Sequence, residues 1–243
     1  MIALQTDLIW EKFKAIGAKD PFYIFRGLKI LVRPHQTAVD LYIHDMGNGY
    51  LKRHWETKKI QESFRKQLTV KIISRADRSL LEQYLVFAKS LKLTRDLVTT
   101  NLDKDSFIFL AMRNGEIIAA NTVAFSEFPL RGGFDLKLLL KNNQVYSAHI
   151  FVAEKYRNIG VASFLKDHII QHCLRRGYRY MILAIFPSNH QAQGLASKFG
   201  FQKYATLKVI EQFFTKRHRI AKTGHYNDQT IALNIFGREV VEV

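Results

Sequence analysis

The sequence predicts a mixed α/β (α+β) fold built on one sheet, and three observations predict it. Val145 to Val152 is an apolar run, residues 160–176 carry a helical pattern, and Tyr178 to Phe186 is apolar again, which is the order of a βαβ unit. A unit of this kind sets two parallel strands side by side and lays the helix on one face. Asn114-Gly115 separates two runs of strand formers and reads as a tight hairpin turn. Two further strand-like runs, near 203–213 and 229–236, close the chain. Parallel strands joined through helices, with hairpins to either side, give a mixed sheet.

Taken in order, residues 7–17 read as an amphipathic helix through Leu8, Ile9, Trp10, Phe13 and Ile16. Phe22 to Val32 is rich in strand formers and ends before Pro34. Met46-Gly47-Asn48-Gly49 is a turn, and Lys52 to Lys66 is polar and compatible with a helix. Residues 1–67 are therefore expected to be an N-terminal accessory segment, with the principal domain at 68–243. Leu68 to Ile73 reads as a strand, and Asp77 or Ser79 is positioned to cap a helix whose stripe includes Leu80, Leu81, Tyr84, Leu85, Phe87 and Ala88. Ser106 to Met112 and Glu116 to Phe125 flank the hairpin, and Pro129 to Asn143 reads as a loop or insertion. In the βαβ unit, Val161, Phe164, Leu165, His168, Ile169 and Cys173 form the buried stripe, and Gly177 stops the helix. A short helix from Asn189 to Lys198 ends before Gly200.

Composition narrows the function. The chain has 243 residues, with 37 basic and 21 acidic side chains and a net charge of +16. Such an excess suits a polyanionic partner: a phosphorylated cofactor, an acidic protein, nucleic acid or an anionic membrane surface. The charge is concentrated in Lys52 to Arg75 and Lys203 to Lys222. No apolar run approaches the ~20 residues of a membrane-spanning helix, and the first residues lack the pattern of a signal peptide, so a cytoplasmic location is expected. A single cysteine, Cys173, excludes an intrachain disulfide and a cysteine zinc site. His168 and His172, one helical turn apart, have no acidic or cysteine partner in the same motif, so no metal is expected.

The chemistry concentrates at Arg157-Asn158-Ile159-Gly160-Val161-Ala162, between the first strand of the βαβ unit and its helix. A glycine turn at this junction aims several backbone N–H groups, and the positive end of the helix dipole, at one point. Small side chains at 160 and 162 let the backbone approach a pyrophosphate, and Arg157 adds charge. Some thirty residues on comes Asn189-x-x-Ala192-x-x-Leu195-Ala196-x-x-x-Gly200-Phe201.

Together the two segments resemble the signature of the GNAT superfamily, the acyl-CoA-dependent N-acyltransferases. The first matches that family's Arg/Gln-x-x-Gly-x-Gly/Ala. The second matches Asn-x-x-Ala-x-x-Leu-Tyr-x-x-x-Gly-Phe except that the tyrosine is Ala196 here. The resemblance is sharp over 145–202 and looser over 68–144. It implies that acetyl-CoA, or another acyl-CoA, is the co-substrate. It implies further that strands 145–152 and 178–186 splay apart and that the pantetheine arm enters the gap. The arm would pair with backbone near Phe151 and Val152 and bond to the side chain of Asn189. The pyrophosphate would rest on Arg157, Asn158, Ile159, Gly160, Val161 and Ala162.

Transfer to an amine raises two proton problems. A lysine-like amine is more than three pKa units from neutrality at pH 7, a cost of about 4–5 kcal/mol, so a base or an acceptor of low pKa is needed. The resemblance puts that base on the strand before the loop, where Tyr146, Ser147 and His149 stand. His149 is the first candidate because imidazole titrates near neutral pH, and Tyr146 is the second. On a regular strand His149 faces away from Val152, three residues on, unless a β-bulge intervenes. The second problem is the leaving thiolate, which the family's tyrosine protonates and Ala196 cannot. Water, Ser197 or a tyrosine such as Tyr204 is the expected substitute.

The expected reaction is acetyl transfer to a primary amine of a small molecule, an amino sugar or an amino acid derivative, in a ternary complex. Residues 1–67 and 127–144 would shape the acceptor pocket. The alternatives are an acyl-carrier-protein-dependent N-acyltransferase, and a basic nucleic-acid or membrane binding module with a degenerate acyl-CoA site.

Overall fold

Strand alternation and one βαβ unit generate two sheets. The computed structural model describes residues 35–47, 60, 62–74, 76–93, 105–130, 134, 136–212, 215–224, 230–235 and 239–243. In chain order the elements are β1 (His35–Asp45), α1 (Glu62–Arg65), β2 (Leu68–Ile73), α2 (Arg78–Ser90), β3 (Ser106–Arg113), β4 (Glu116–Ala124), β5 (Glu127–Leu130), β6 (Leu136–Leu139), β7 (Gln144–Val152), α3 (Val161–Arg175), β8 (Tyr180–Ile185), α4 (His190–Lys198), β9 (Gln202–Gln212), β10 (Thr215–Lys222), β11 (Ala232–Ile235) and β12 (Glu239–Glu242). Eight strands form the main sheet in the order β10-β9-β1-β8-β7-β4-β3-β2, and four form a smaller one in the order β12-β11-β6-β5. The pair β7–β8 is parallel and its neighbours are antiparallel.

Much of this follows the sequence pattern. Asn114 (φ 50°) and Gly115 (φ 84°) both occupy left-handed backbone, as a two-residue hairpin turn requires. Gly177 (φ 84°) ends α3 as expected. Helix α2 begins after Asp77, but that carboxylate accepts from the Ser74 N–H and hydroxyl rather than from the helix.

Three features depart from expectation. The stretch 129–143, read as a loop, contributes part of β5 and all of β6 to the smaller sheet. Phe128, Leu130, Leu136 and Leu138 alternate inward there, and the partner of β6 is β11, almost a hundred residues later. Basic residues 215–222 form an edge strand, β10. Strand β1, unread in the sequence, sits between β8 and β9, so this part of the 1–67 segment belongs to the main sheet. Val39, Leu41 and Ile43 face the small sheet, and Asp40 on the opposite face is held by Thr206 and Lys203. Arg179 clamps the end of β1 to the start of β8 through two nitrogens on the Asp45 carboxylate. The expected helix at 7–17 and strand at 22–32 lie outside the described residues.

Helices α3 and α4 cover one face of the main sheet with Val161, Leu165, Ile169, Ala196 and Phe199. The small sheet covers the other face over β1, β8 and β9. Helix α2 covers the same face over β3 and β4.

Candidate active site

Strands β7 and β8 pair only at Gln144↔Tyr180, Val145↔Met181 and Tyr146↔Ile182. Beyond that point β7 stays with β4 as far as Val152, and β8 stays with β1 as far as Ile185. The sheet therefore splits in its middle and leaves facing edges whose backbone groups need partners. The Ala153 N–H donates to Ile118 O, on the β4 side. By strand alternation the backbone groups of Val152 and Ile150 turn into the gap, and those of Phe151 turn toward β4. Of the two residues expected to meet a pantetheine arm through backbone, Val152 faces the gap and Phe151 does not, while Ile150 does.

The gap opens beside the glycine loop. After a 3-10 turn at Glu154–Tyr156, Asn158 (φ 61°) and Gly160 (φ 95°) take left-handed backbone, and Gly160 is the residue before α3. Glycine reaches this region without the steric cost that a Cβ brings. The Phe164 N–H donates to Gly160 O, so the N–H groups of the first turn, Val161 to Ser163, have no intrahelical acceptor and point out of the helix with its dipole. Val161 is buried and fixes the helix to the core, Ile159 is exposed, and Ala162 is partly buried. The Arg157 Nε donates to Val152 O at 3.2 Å, which ties the loop to the mouth of the gap, while the side chain stays exposed. These donors suit a diphosphate, and strand edges without a strand partner, such as the N–H and C=O of Ile150 and the N–H of Val152, suit the amides of a pantetheine arm.

On the opposite wall, the Asn189 side chain caps α4 by accepting from the Ala192 N–H at 3.0 Å, which leaves its amide N–H groups for other partners. Ala196 is 2% exposed against Phe199 and Phe201 and presents no acid. Tyr204 does not replace the missing tyrosine. It is buried, and its hydroxyl donates to Val243 O among the residues under the small sheet. Ser197 is exposed on α4.

Strand β7 carries a β-bulge, but not between His149 and Val152, where it would have changed their relative facing. Between Asn121↔Ile150 and Val123↔Ser147, β4 advances two residues while β7 advances three. The extra residue lies at Ala148–His149, on the near side of His149, so His149 and Val152 still face opposite sides. His149 is exposed on the face of Tyr146 and Ala148, with its ring 5.7 Å from that of Phe151. Tyr146 is buried, packs at 4.6 Å on Phe128, and is hydrogen-bonded to the backbone of Ala184 across the point where the strands diverge. Burial raises its phenol far above the ordinary tyrosine value.

Beneath the bulge lies a buried polar chain that the sequence reading missed. The Asn121 Nδ2 donates to Ala148 O (3.0 Å) and His149 O (2.9 Å). Its Oδ1 accepts from Ser147 Oγ (2.7 Å), and Lys166 Nζ on α3 donates to Ser147 Oγ (2.5 Å). Desolvation pulls the Lys166 amine down to about 7. The one signal in the sequence is that Lys166 stands four residues before Ile170, on the buried side of an apolar helix.

The remaining suspects are structural. His168 Nδ1 is bound to Phe164 O, and His172 meets the Phe109 ring edge-on. Cys173 is fully buried, and burial pushes its thiol up to about 12. Among the described residues no group of three or more His, Cys, Asp or Glu could hold a metal ion, and no helix is long and apolar enough to cross a membrane.

The family model described as "Acetyltransferase (GNAT) family" matches residues 72–201, more than half of the chain. A putative GNAT-family acetyltransferase from Novosphingobium aromaticivorans is similar in fold at TM-score 0.48 and 13% identity, over 79% of this chain and 68% of that one. The aminoglycoside N-acetyltransferase AAC(6')-Iy, in complex with CoA, is similar at TM-score 0.44 and 20% identity, over 56% of this chain and 88% of its own. An acetyltransferase of the same family from Colwellia psychrerythraea is similar at TM-score 0.46 and 16% identity, over 76% and 55%. No curated protein matches the chain. With the family motifs, the split sheet and the family model all falling on the same residues, the chain belongs to the GNAT family of acetyltransferases.

Proposed function

We propose that this protein transfers the acetyl group of acetyl-CoA to a primary amine of a small molecule, an amino sugar or an amino acid derivative, by direct attack in a ternary complex. The observation that carries the reading is the separation of β7 from β8 after Tyr146 and Ile182, which leaves two strand edges without a strand partner beside the glycine loop. On this reading the first turn of α3 and residues 157–162 hold the diphosphate, Ile150 and Val152 pair with the pantetheine arm, and the Asn189 amide donates to it. His149 takes the proton that the acceptor's ammonium must lose before the neutral amine attacks, directly or through one water. Tyr146 braces the apex of the split, since its buried phenol is a poor proton acceptor at neutral pH. The peptide planes at the bulge aim the His149 and Ile150 N–H groups away from Asn121, where they meet the developing oxyanion. The thiolate leaves without help from α4, a tolerable step for a thiol with pKa near 8.5, and takes its proton from water.

The acceptor approaches on the His149 face, beside the small sheet. Phe186 there is exposed and lies 6.4 Å from Phe134. The β5–β6 segment shapes that side.

Calorimetric titration with acetyl-CoA and with CoA tests the reading, repeated on Gly160→Trp. Saturable binding that the variant loses, together with thiol release in the presence of one member of an amine panel, supports it. Binding that is equal in both proteins sinks it. One observation favours a second reading, a polyanion-binding surface. Lys208 and Arg219 are directly opposed on β9 and β10, an unfavourable like-charge pair. That reading predicts salt-sensitive binding to polyanions with no acyl transfer.

A further inference from the structure

The geometry points to Asn121, Ser147 and Lys166 as a positioning network that sets the β7 bulge, and with it the direction of the His149 and Ile150 N–H groups and the outward turn of the His149 ring. The starting point is a pair of carbonyls. Ala148 O and His149 O both lie within 3.0 Å of one nitrogen, Asn121 Nδ2. In a trans peptide the N–H is opposed to the C=O. Two consecutive carbonyls drawn to one donor therefore turn the next two N–H groups, those of His149 and Ile150, to the other side. Without that donor the bulge would leave two partly buried carbonyls competing for partners, and the segment would relax toward a regular strand.

Which way the Asn121 amide points is decided by what meets its oxygen. Oδ1 accepts from Ser147 Oγ at 2.7 Å and lies 3.4 Å from Lys166 Nζ, which also donates to Ser147 Oγ. Lysine is the donor at the head of this chain, and so it fixes the sense of every bond below it. Asn121, Ser147 and Lys166 are 1%, 2% and 3% exposed, so water does not take over these roles. An uncharged amine has two N–H groups, matching the two acceptors in reach, and desolvation favours that form. The titratable group that acts on Lys166 is Cys173, two turns along α3; the adjacent Asp167 carboxylate accepts from Gln171. Lys166 also sits on the helix that begins at the glycine loop, so the chain joins the cofactor helix, β4 and the bulge in one buried unit.

The kinetic arm of the test rests on the acyl-transfer reading, and the spectroscopic arm does not. Asn121→Asp, Ser147→Ala, Ser147→Thr and Lys166→Met are made in the full chain. The readouts are the amide shifts of His149 and Ile150, the melting temperature, the acetyl-CoA Kd, and kcat and KM for the best amine of the panel. Folded Asn121→Asp and Lys166→Met are expected to move both amide signals while holding the acetyl-CoA Kd within about threefold. Asn121→Asp should lower kcat by about 10²-fold, the size of a lost oxyanion donor, with KM little changed. Lys166→Met should lower kcat about tenfold and displace the acid limb of its pH profile. Ser147→Thr should recover what Ser147→Ala loses. Unmoved amide signals in both folded variants overturn the proposal, as does a kcat that falls only in step with melting temperature or acetyl-CoA affinity. If the parent protein acylates no amine, the amide shifts decide the network alone, and it is the acyl-transfer reading that has failed.

Discussion

Tyr146 and Ile182 are the last residues at which β7 and β8 pair, and the Tyr146 hydroxyl reaches past that point to the backbone of Ala184. The side chain thus closes the apex of the split and fixes where the gap begins. A phenol in this position is a brace. Tyr146→Phe should cost about 1 kcal/mol in urea unfolding, the value of one hydrogen bond, and leave kcat within about threefold. A loss of more than a hundredfold in kcat from a normally folded variant would make Tyr146 a participant in the chemistry.

His149→Gln keeps a polar side chain of similar reach and removes the proton acceptor. Its kcat/KM should fall by about 10²-fold or more. The parent rate should decline as the pH drops and the imidazole is protonated, and that limb should be absent from the variant. A pH–rate profile on both proteins is the check. An unchanged profile would move the base elsewhere.

Gly160 holds a φ of 95° at the start of α3. Gly160→Ala should therefore lose about 1–2 kcal/mol of stability from strain alone and bind acetyl-CoA more weakly, because the loop must shift. Thermal melting with and without acetyl-CoA measures both. A variant as stable as the parent and equally stabilised by acetyl-CoA would show that the loop does not need this backbone.

Lys166 makes stability depend on pH. Its amine falls from the ordinary 10.5 to about 7 on folding. Between these values the unfolded chain holds a proton that the folded chain does not, so stability should rise with pH by about 1.4 kcal/mol per unit. Below about 7 both states are charged and the full penalty is present. Lys166→Met should be more stable than the parent at pH 7, with the difference shrinking toward pH 10. Parallel urea titrations at pH 7 and pH 9 would show the opposite trend if the amine were charged and well paired.

Several parts of this molecule were written in the linear chain. The βαβ unit, the Asn114-Gly115 hairpin, the glycine loop and the cap at Asn189 all depend on residues close to one another in sequence, where local sterics and alternation decide the outcome. The same locality made the glycine loop legible, because its shape is backbone geometry at one strand–helix junction. The tertiary structure alone decided the rest. β1 enters the sheet between β8 and β9, and β6 finds β11, because an exposed sheet edge or apolar face takes whichever partner packs, however distant in the chain. The bulge that turns His149 outward is stabilised by Asn121 and Lys166, which lie 28 and 17 residues away on other elements. A lysine in an apolar stripe looks like an interruption until the fold supplies the acceptors it was placed to meet. The residue types that do chemistry are thus set locally, while their direction and protonation come from what the fold packs against them.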